Sequence, residues 1–414
     1  MATVDHAPAP IPRTYDVAAF RRRFPALGEG AAHFDGPGGS QVPVEVAEAV
    51  AATMTSAIAN VGTVTRAERR ARDVVLAARR ALGDLLGCDP RGVVVGRSMT
   101  QLTFDLSRTL AASWRPGDEV VVSRLDHDAN IRPWVLAATS VGAVVRWAEF
   151  DPATGELDVE AVTRHLGPRT RVVAVTAASN LLGTRPDVAA IARAVHDVGA
   201  LMVVDGVHAT AHVPTDVGAF GADVYLCSPY KLLGPHLGVM AADPGFLESL
   251  RPAKLAPSTD VVPERFELGT LPYELLAGCT AAVDVVAGLG AEVGAGPARR
   301  ERVLAGMAAV EAHEDRLRER IEAGLAQIGG ITTWSRAARR TPTLLLRVDG
   351  VPDAVVRQHL VDRGVNAPNG SFYALEASRH LGLGDTGAVR VGLAPYSDDE
   401  DVARLLEGLA TVPH

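Results

Sequence analysis

A single lysine stands where covalent chemistry is expected. The 414-residue chain has 41 Lys and Arg residues in total, and only Lys231 and Lys254 are lysines. Lys231 follows Val224–Cys227, an apolar run that predicts a short buried strand, so it lies in a turn at the strand's exit. Arginine can replace lysine in salt bridges, but only lysine can lose its proton and form a Schiff base. A lysine kept here therefore indicates imine chemistry, and the alternative is an ordinary surface lysine.

An aldehyde cofactor held by a lysine also needs an anion site, an acid beside its ring nitrogen and a flat group against its ring. Ser98, Met99 and Thr100 precede a predicted helix, whose N-terminal N–H groups can bind a phosphate; a plain helix cap is the alternative. Asp205 ends the apolar strand LMVVDG, where a carboxylate is costly unless a cation such as a pyridinium pairs with it. A metal ligand or a turn former is the alternative for this aspartate.

Other predicted strand ends carry two more candidates. His127, in RLDHDAN, could stack on a cofactor ring, and Asn180, in ASNLLG, could donate to a ring oxygen, although both also suit ordinary loop hydrogen bonds. His208 and His212 have the i,i+4 spacing of zinc ligands, yet HATAH lacks the glutamate of the HExxH motif. We therefore predict no metal site.

The elements that must position these groups alternate along the chain. Continuous apolar runs separated by helical segments predict an α/β fold with a mostly parallel sheet, in which ligands bind at the carboxyl ends of the strands. From about Tyr273 the pattern changes to that of a smaller α+β domain. We predict an N-terminal segment at 1–29 that packs on the small domain, a large cofactor-binding domain at 30–290 and a small C-terminal domain at 291–414. The apolar runs of the large domain are Val93–Val95, Val120–Val122, Val144–Trp147, Val172–Val175, Leu201–Val204 and Val224–Leu226.

Composition limits the classes of partner. A net charge of −8 argues against nucleic-acid or anionic-membrane binding. The three cysteines show no CxxC spacing, so neither a disulfide framework nor a zinc site is indicated. No signal peptide or uncharged apolar run of membrane-spanning length is recognised. These features predict a cytoplasmic protein with no membrane or nucleic-acid partner.

The ordered motifs SMT, DHDAN, ASNLLGT, VVDGVHA, SPYKLLGPH, RFELGT and AVRVGLAPY closely resemble the class V aminotransferase superfamily, in particular its cysteine desulfurase-like members. The resemblance runs from about residue 30 to the C-terminus. It implies a pyridoxal 5'-phosphate enzyme of fold type I, whose large domain has a mostly parallel seven-stranded sheet between helices. It also implies a homodimer with active sites at the interface, and an L-amino acid or conjugate that reacts through an external aldimine and α-proton abstraction.

The resemblance assigns roles to the matching residues. Around the cofactor, it implies Lys231 as the Schiff-base lysine, Asp205 as the partner of the pyridinium nitrogen and His127 as the group stacked on the ring. Asn180 and His208 are expected beside the ring. The residues expected to bind the phosphate and the ring are Ser98, Met99, Thr100, Ser228 and Tyr230, with Thr270 contributed by the neighbouring subunit. For the substrate, it implies Arg390 as the carboxylate ligand and Asn369 as a further contact.

The chain also departs from the family pattern. Tyr230 and His208 replace a histidine and a glutamine of desulfurases. In GVNAPNGSFYALEA, Pro368 and Tyr373 occupy the places of an arginine and of the cysteine that attacks substrate sulfur. A phenol cannot carry a persulfide, so we predict a carbon–sulfur β-elimination lyase without a persulfide relay, with Tyr373 and His208 as candidate acid–base groups. Transamination, epimerisation, an oxidative reaction and a catalytically silent partner protein remain alternatives.

Overall fold

The computed structural model describes residues 15–413, so the first part of the N-terminal segment predicted at 1–29 lies outside this range. Within it, the strands are β1 (Ala32–His33), β2 (Val93–Gly96), β3 (Glu119–Ser123), β4 (Val144–Ala148), β5 (Thr170–Thr176), β6 (Leu201–Asp205), β7 (Val224–Cys227), β8 (Gly238–Ala242), β9 (Ile331–Thr333), β10 (Thr343–Val348), β11 (Val365–Asn366), β12 (Asn369–Gly370) and β13 (Ala388–Gly392).

The α-helices of the described residues are α1 (Val17–Arg21), α2 (Val44–Met54), α3 (Arg66–Leu86), α4 (Met99–Ala111), α5 (Arg132–Ser140), α6 (Val159–Thr163), α7 (Val188–Asp197), α8 (Ala209–His212), α9 (Val217–Phe220), α10 (Pro244–Ser249), α11 (Tyr273–Glu292), α12 (Arg299–Leu325), α13 (Asp353–Val361), α14 (Leu375–His380) and α15 (Asp399–Ala410).

The predicted mostly parallel seven-stranded sheet is confirmed. Its strand order is β2-β8-β7-β6-β5-β3-β4, and only β8 runs antiparallel to its neighbours. The apolar runs are continuous because both faces of the sheet are covered. Val121 and Val173 pack into a core with α3, α7, α11 and α12, whereas Val120 and Val122 pack on the other face with α4 and α5.

The glycine-rich stretch that follows the large sheet begins within a helix. Helix α11 runs through Gly288 and Gly290 to Glu292 and packs against α12. A Cβ on Gly290 would lie 1.8 Å from the backbone oxygen of Arg302, and a Cβ on Gly306 would lie 2.3 Å from that of Val286. The glycines therefore mark a close helix–helix contact, because only hydrogen at Cα lets the two backbones approach this far. By length and composition α11 is the one described helix that could span a membrane, and 56% of its apolar window is buried inside the protein.

The C-terminal part of the chain forms a separate antiparallel sheet with the order β12-β13-β10-β9. The N-terminal segment contacts this part of the chain, because β1 pairs in parallel with β11. The Tyr15 hydroxyl also donates to the backbone oxygen of Pro395 at 2.6 Å. Arg21 forms salt bridges with Asp398 at 3.0 Å and with Asp401 at 2.6 Å. The domain limits at 29/30 and 290/291 stay a prediction.

Candidate active site

A cleft of about 490 Å³ opens at the carboxyl ends of the parallel strands, where α/β sheets bind ligands. Most of the residues predicted for the site line this cleft together. They are Ser98, Met99, Thr100, His127, Asn180, Asp205, His208, Ser228, Tyr230 and Lys231. Four lining residues were not predicted, because each is a small or apolar residue without a distinctive motif. They are Ala129, Thr176, Ala178 and Val207.

Lys231 ends a short 3-10 turn directly after β7 and is buried, with 8% of its surface exposed. Its Nζ donates to the backbone oxygen of Pro37 at 2.7 Å, so the glycine-rich loop GPGG approaches the cleft. Burial and the nearby charge of Arg390 lower the pKa of Lys231 to about 8, against the opposing effect of Asp205. A substantial fraction of the amine is therefore neutral, and hence nucleophilic, near neutral pH.

Asp205 closes β6 and is 4% exposed. Its Oδ1 accepts from the backbone N–H of Val207 at 2.9 Å, and burial raises the pKa of its carboxyl to about 6, although Lys231 opposes this shift. Beside it lies Asp126, which the sequence did not single out. This aspartate is fully buried, accepts from Asn130 Nδ2 at 2.7 Å, and has its pKa raised by burial to about 8. A cation at the cleft would favour ionised Asp205.

His127 is held as a neutral ring at the cleft. Its Nδ1 accepts from the backbone N–H of Ala129 at 3.0 Å, which leaves the proton on Nε2. Burial, together with the charges of Lys231 and Arg390, lowers the pKa of His127 to about 3. The ring of Tyr373 lies 5.6 Å from the His127 ring at an interplanar angle of 32°. Tyr373 is 77% exposed and does not line the cleft, but it lies beside His127, which does; we call this exposed position the entrance.

The N-terminus of α4 faces the cleft with its first backbone N–H groups. Ser98 acts as the helix cap, its Oγ accepting from Gln101 N at 3.1 Å, so the plain-cap alternative also holds for this residue. Thr100 is exposed and adds a hydroxyl. A Cβ on Gly238 of the neighbouring strand β8 would lie 2.1 Å from the carbonyl carbon of Ser98, so the backbone of β8 approaches the helix start too closely for any side chain. These groups form an anion-binding cradle.

His208 lies in the cleft wall, and residues of the C-terminal part hold it. Its Nε2 lies 2.9 Å from Thr341 Oγ1 and 3.0 Å from Thr343 Oγ1, while its buried Nδ1 has no partner. Burial lowers the pKa of His208 well below its ordinary value. Its ring also contacts His212, whose Nδ1 pairs with Glu314 Oε2 at 2.8 Å. No group of three metal-ligating side chains occurs in residues 15–413.

Arg390 and Asn180 are joined beside the cleft. Arg390 Nη1 donates to the backbone oxygen of Asn180 at 3.0 Å, and burial lowers the pKa of Arg390 to about 9. The side chain of Asn180 donates through Nδ2 to the backbone oxygen of Phe372 at 3.0 Å, whereas its buried Oδ1 has no partner. Phe372 was not predicted as a site residue, yet it contacts two residues that were, because its ring also lies against the Arg390 guanidinium.

Four predicted residues do not line the cleft. Tyr373 and Arg390 contact residues that do, namely His127 and Asn180, and the other two are Asn369 and Thr270. Asn369 is on β12, opposite Val389, and is not a lining residue. Thr270 is exposed in a separate groove of about 770 Å³ of empty space with Val95, Leu268 and others. Neither position brings its side chain to the cleft of the same chain, so both roles stay predictions.

None of the three cysteines is placed to act as a nucleophile in the cleft. Cys227 and Cys279 are buried, Cys88 is half-buried, and none of them lines the cleft. Burial raises the pKa of all three thiols. A buried, protonated thiol is a poor nucleophile.

The donor set fits pyridoxal phosphate. A buried amine of lowered pKa suits the aldehyde, the N-terminus of α4 suits the phosphate, and Asp205 suits a protonated ring nitrogen. The unpartnered Asn180 Oδ1 and His208 Nδ1 are buried polar atoms that a polar ligand would satisfy.

Comparisons with known proteins agree with this assignment. The family model described as aminotransferase class-V matches residues 32–405. An uncharacterized protein of Mycobacterium tuberculosis is 36% identical over 96% of this chain and 99% of its own length. A probable cysteine desulfurase of Pseudomonas aeruginosa is 31% identical over 94% of this chain and 96% of its own. An aminotransferase-like protein of Gibberella zeae is 29% identical over 96% of this chain and 99% of its own length.

The solved structures share the fold. A cysteine desulfurase of Escherichia coli, in its S-sulfonic acid form, superposes with a TM-score of 0.84 and 26% identity, covering 95% of this chain and 98% of that one. The apo cysteine desulfurase of Thermococcus onnurineus gives a TM-score of 0.85 at 24% identity, covering 97% of this chain and 98% of that one. The chain therefore belongs to the aminotransferase class-V family and is a pyridoxal-phosphate enzyme of fold type I.

Proposed function

We propose that this enzyme acts on an L-amino acid or its conjugate by removing the α-proton and expelling a sulfur substituent from the β-carbon. One observation carries the proposal: Lys231 presents a buried amine of lowered pKa to a cleft that none of the three cysteines lines. The amine supports α-proton chemistry, and the absence of a cleft thiol argues against transfer of sulfur to the protein.

Each residue has a proposed task in this reaction. When bound, the cofactor supplies an electron sink for the substrate's α-carbon. Lys231 Nζ holds the cofactor and then takes the proton from the α-carbon. Asp205 keeps a positive charge on the ring nitrogen, and neutral His127 covers the ring face. Met99, Thr100 and Ser228 bind the phosphate through N–H and O–H groups, with Tyr230 beside them.

The remaining groups act on the substrate and the ring oxygen. Asn180 donates to the ring oxygen through the second hydrogen of Nδ2, and His208 orients the ring through its unpartnered Nδ1. Arg390 binds the substrate carboxylate, with Asn369 as a further contact. Tyr373, at the entrance beside His127, donates a proton to the leaving sulfur.

Overall, a cysteine thioether and water yield a thiol, pyruvate and ammonium. The carbon–sulfur electron pair leaves with sulfur, which takes a proton, and the remaining enamine is hydrolysed. No external oxidant or reductant is required. Transamination is the second candidate, favoured by the aminotransferase-like relative of matching length.

Lys231→Ala tests the cofactor lysine, and Lys254→Ala is the matched control. We expect Lys231→Ala to abolish the visible absorbance of protein loaded with pyridoxal phosphate. Lys254 donates to Ser258 O at 2.8 Å and does not line the cleft, so its variant should keep the wild-type spectrum. Persistence of the band in Lys231→Ala would show that another residue holds the cofactor.

Product analysis tests the reaction. The loaded enzyme is incubated with L-cysteine and S-alkyl cysteines, without a keto acid, and pyruvate, ammonium and thiol or sulfide are measured. Equal amounts of pyruvate and thiol support elimination. Turnover that appears only after a keto acid is added establishes transamination instead.

We further propose that the enzyme is a cytoplasmic homodimer in which Thr270 completes the phosphate site of the partner. Exposed Thr270 lies outside the cleft of its own chain, in a groove beside Leu268, which is 55% exposed.

The proposed cytoplasmic location accords with the free cysteines, which suit a reducing compartment. Cell fractionation that recovers the protein with membranes or outside the cell would contradict the location.

A further inference from the structure

The guanidinium of Arg390 is a buried cation that forms no salt bridge within residues 15–413, although the carboxylate of Asp35 lies close enough to oppose the lowering of its pKa. The residue is 2% exposed, Nη1 donates to Asn180 O at 3.0 Å, and Nε has no hydrogen-bond partner. A buried charge is costly unless it is paired and hydrogen-bonded. The free edge of this guanidinium therefore suits a bidentate carboxylate ligand.

The flat face of the same guanidinium is covered by an aromatic ring. Arg390 Cζ lies 3.7 Å from the centroid of the Phe372 ring, which is a close cation–π contact. Stacking uses the face of the guanidinium, whereas a carboxylate pairs with its edge. The two contacts are therefore compatible, and the ring restricts how the plane of the arginine can tilt.

The backbone that carries this ring is strained. Phe372 has φ of 53° and Tyr373 has φ of 59°, and Ala374 N donates to Ser371 O at 2.8 Å across them. A turn with two left-handed central residues favours asparagine and glycine, because a β-carbon is crowded in this conformation. Two large aromatic residues in succession are poorly suited to it.

Contacts from the large domain hold the strained turn in place. Asn180 Nδ2 donates to Phe372 O at 3.0 Å, and Asp128 N donates to Tyr373 O at 2.7 Å. Asn180 therefore fixes both partners of the stack, since its own carbonyl binds Arg390. Backbone strain of this kind persists where surrounding contacts impose it, and it concentrates at functional sites.

We propose that Phe372 is a positioning residue for Arg390. Its ring, together with the Asn180 carbonyl, holds the guanidinium plane so that the free edge receives the carboxylate of the substrate. This inference rests on the proposed function for the identity of the ligand, an amino acid, but the stacking contact can be tested without any substrate.

The binding experiment compares L-alanine with L-alaninamide on the enzyme loaded with pyridoxal phosphate. Neither ligand has a β-leaving group, and the amide lacks the carboxylate, so the difference between their dissociation constants reports the carboxylate contact. Titration is followed by the visible spectrum. We expect Phe372→Leu to weaken L-alanine binding about tenfold and to leave L-alaninamide binding unchanged. Phe372→Tyr, which keeps the ring face, should restore the affinity for L-alanine.

Phe104→Leu is the matched control, because Phe104 also lies beside an arginine, with Arg108 Cζ 5.9 Å from its ring centroid, but it does not line the cleft. It should bind both ligands as the wild type does. Equal weakening of both ligands by Phe372→Leu would overturn the proposal, and so would failure of Phe372→Tyr to restore binding.

A second measurement separates this inference from the proposed function. If the wild type binds neither ligand, the proposed function loses its amino-acid substrate, and urea denaturation of Phe372→Leu, Arg390→Leu and the double variant then decides the inference. We expect the double variant to be less destabilised than the sum of the single variants, because both remove one contact. Additive effects would overturn the stacking contact.

Discussion

At the scale of single residues, burial makes the cleft reactive. Lys231 is 8% exposed, and the desolvation of its ammonium lowers the pKa to about 8. The same burial keeps His127 neutral, with a pKa of about 3, so this ring adds no positive charge to the cleft. An exposed lysine with an ordinary pKa would be almost wholly protonated at neutral pH.

The rate of cofactor capture tests the lysine. Only the neutral amine attacks an aldehyde, and a lowered pKa raises the neutral fraction at lower pH. For protein stripped of cofactor, we expect the second-order rate of absorbance gain with added pyridoxal phosphate to rise about tenfold from pH 6 to pH 7 and to level off above about pH 8. Stopped-flow absorbance measures this rate. A rate still rising tenfold per unit at pH 9 would show an unperturbed lysine.

At the scale of elements, close backbone contacts set the positions of helices. Gly238 allows β8 to pass the start of α4, where phosphate is expected to bind. Gly290 and Gly306 bring α11 and α12 into backbone contact. Gly288 lies in the same helix α11, yet a Cβ there would have no heavy atom within 4 Å. Glycine is therefore required for helix packing at position 290, whereas at position 288 of the same helix there is room for a side chain.

Alanine substitutions distinguish these glycines. Gly290→Ala should destabilise the protein by about 1–3 kcal/mol, because the new methyl group overlaps the backbone oxygen of Arg302 and must separate the helices. Gly288→Ala should stabilise it by up to about 1 kcal/mol, since alanine is the better helix former. Urea denaturation with the cofactor bound measures both changes. Similar effects of the two substitutions would contradict the close contact.

At the scale of the whole molecule, the cleft joins distant parts of the chain. The backbone oxygen of Pro37 accepts a hydrogen bond from Lys231, Thr341 and Thr343 hold His208, and Phe372 stacks on Arg390. Any shift of the C-terminal part therefore alters the cleft directly. Thr270 is exposed and lies outside the cleft of its own chain, and our proposal is that it extends this arrangement to a second chain.

Mixing defective subunits tests the shared site. Lys231→Ala and Thr270→Val chains are each expected to be impaired as homodimers. A mixed dimer would contain one site with both Lys231 and Thr270 intact, so activity should return to about half of the wild-type value per mixed dimer. The two variants are refolded together, and enzyme assays measure the activity of the mixed dimers. Light scattering establishes whether the mass is twice that of the 43.4 kDa chain. Failure of mixed dimers to regain activity would place Thr270 outside the partner's site.

The primary sequence was sufficient for the sheet and most of the cleft. Strand runs and strand ends are local patterns, and parallel strands bring their carboxyl ends to one edge, so the placement of Asp205, His127 and Lys231 could be predicted from spacing. The antiparallel strand β8 escaped prediction because its short run GVMAA has no distinctive boundary signal.

The sequence by itself determined the family and the prediction of Lys231 as the cofactor lysine, and it places a tyrosine, not a cysteine, at position 373. Only the tertiary structure decided that Lys231 is buried, that α11 continues through Gly288 and Gly290, and that Phe372 covers Arg390. Burial and desolvation depend on the summed packing of distant segments, and a glycine in a helix looks like a break until its neighbouring helix is known. The stack of Phe372 joins residues whose contact depends on a strained turn, which no local pattern predicts.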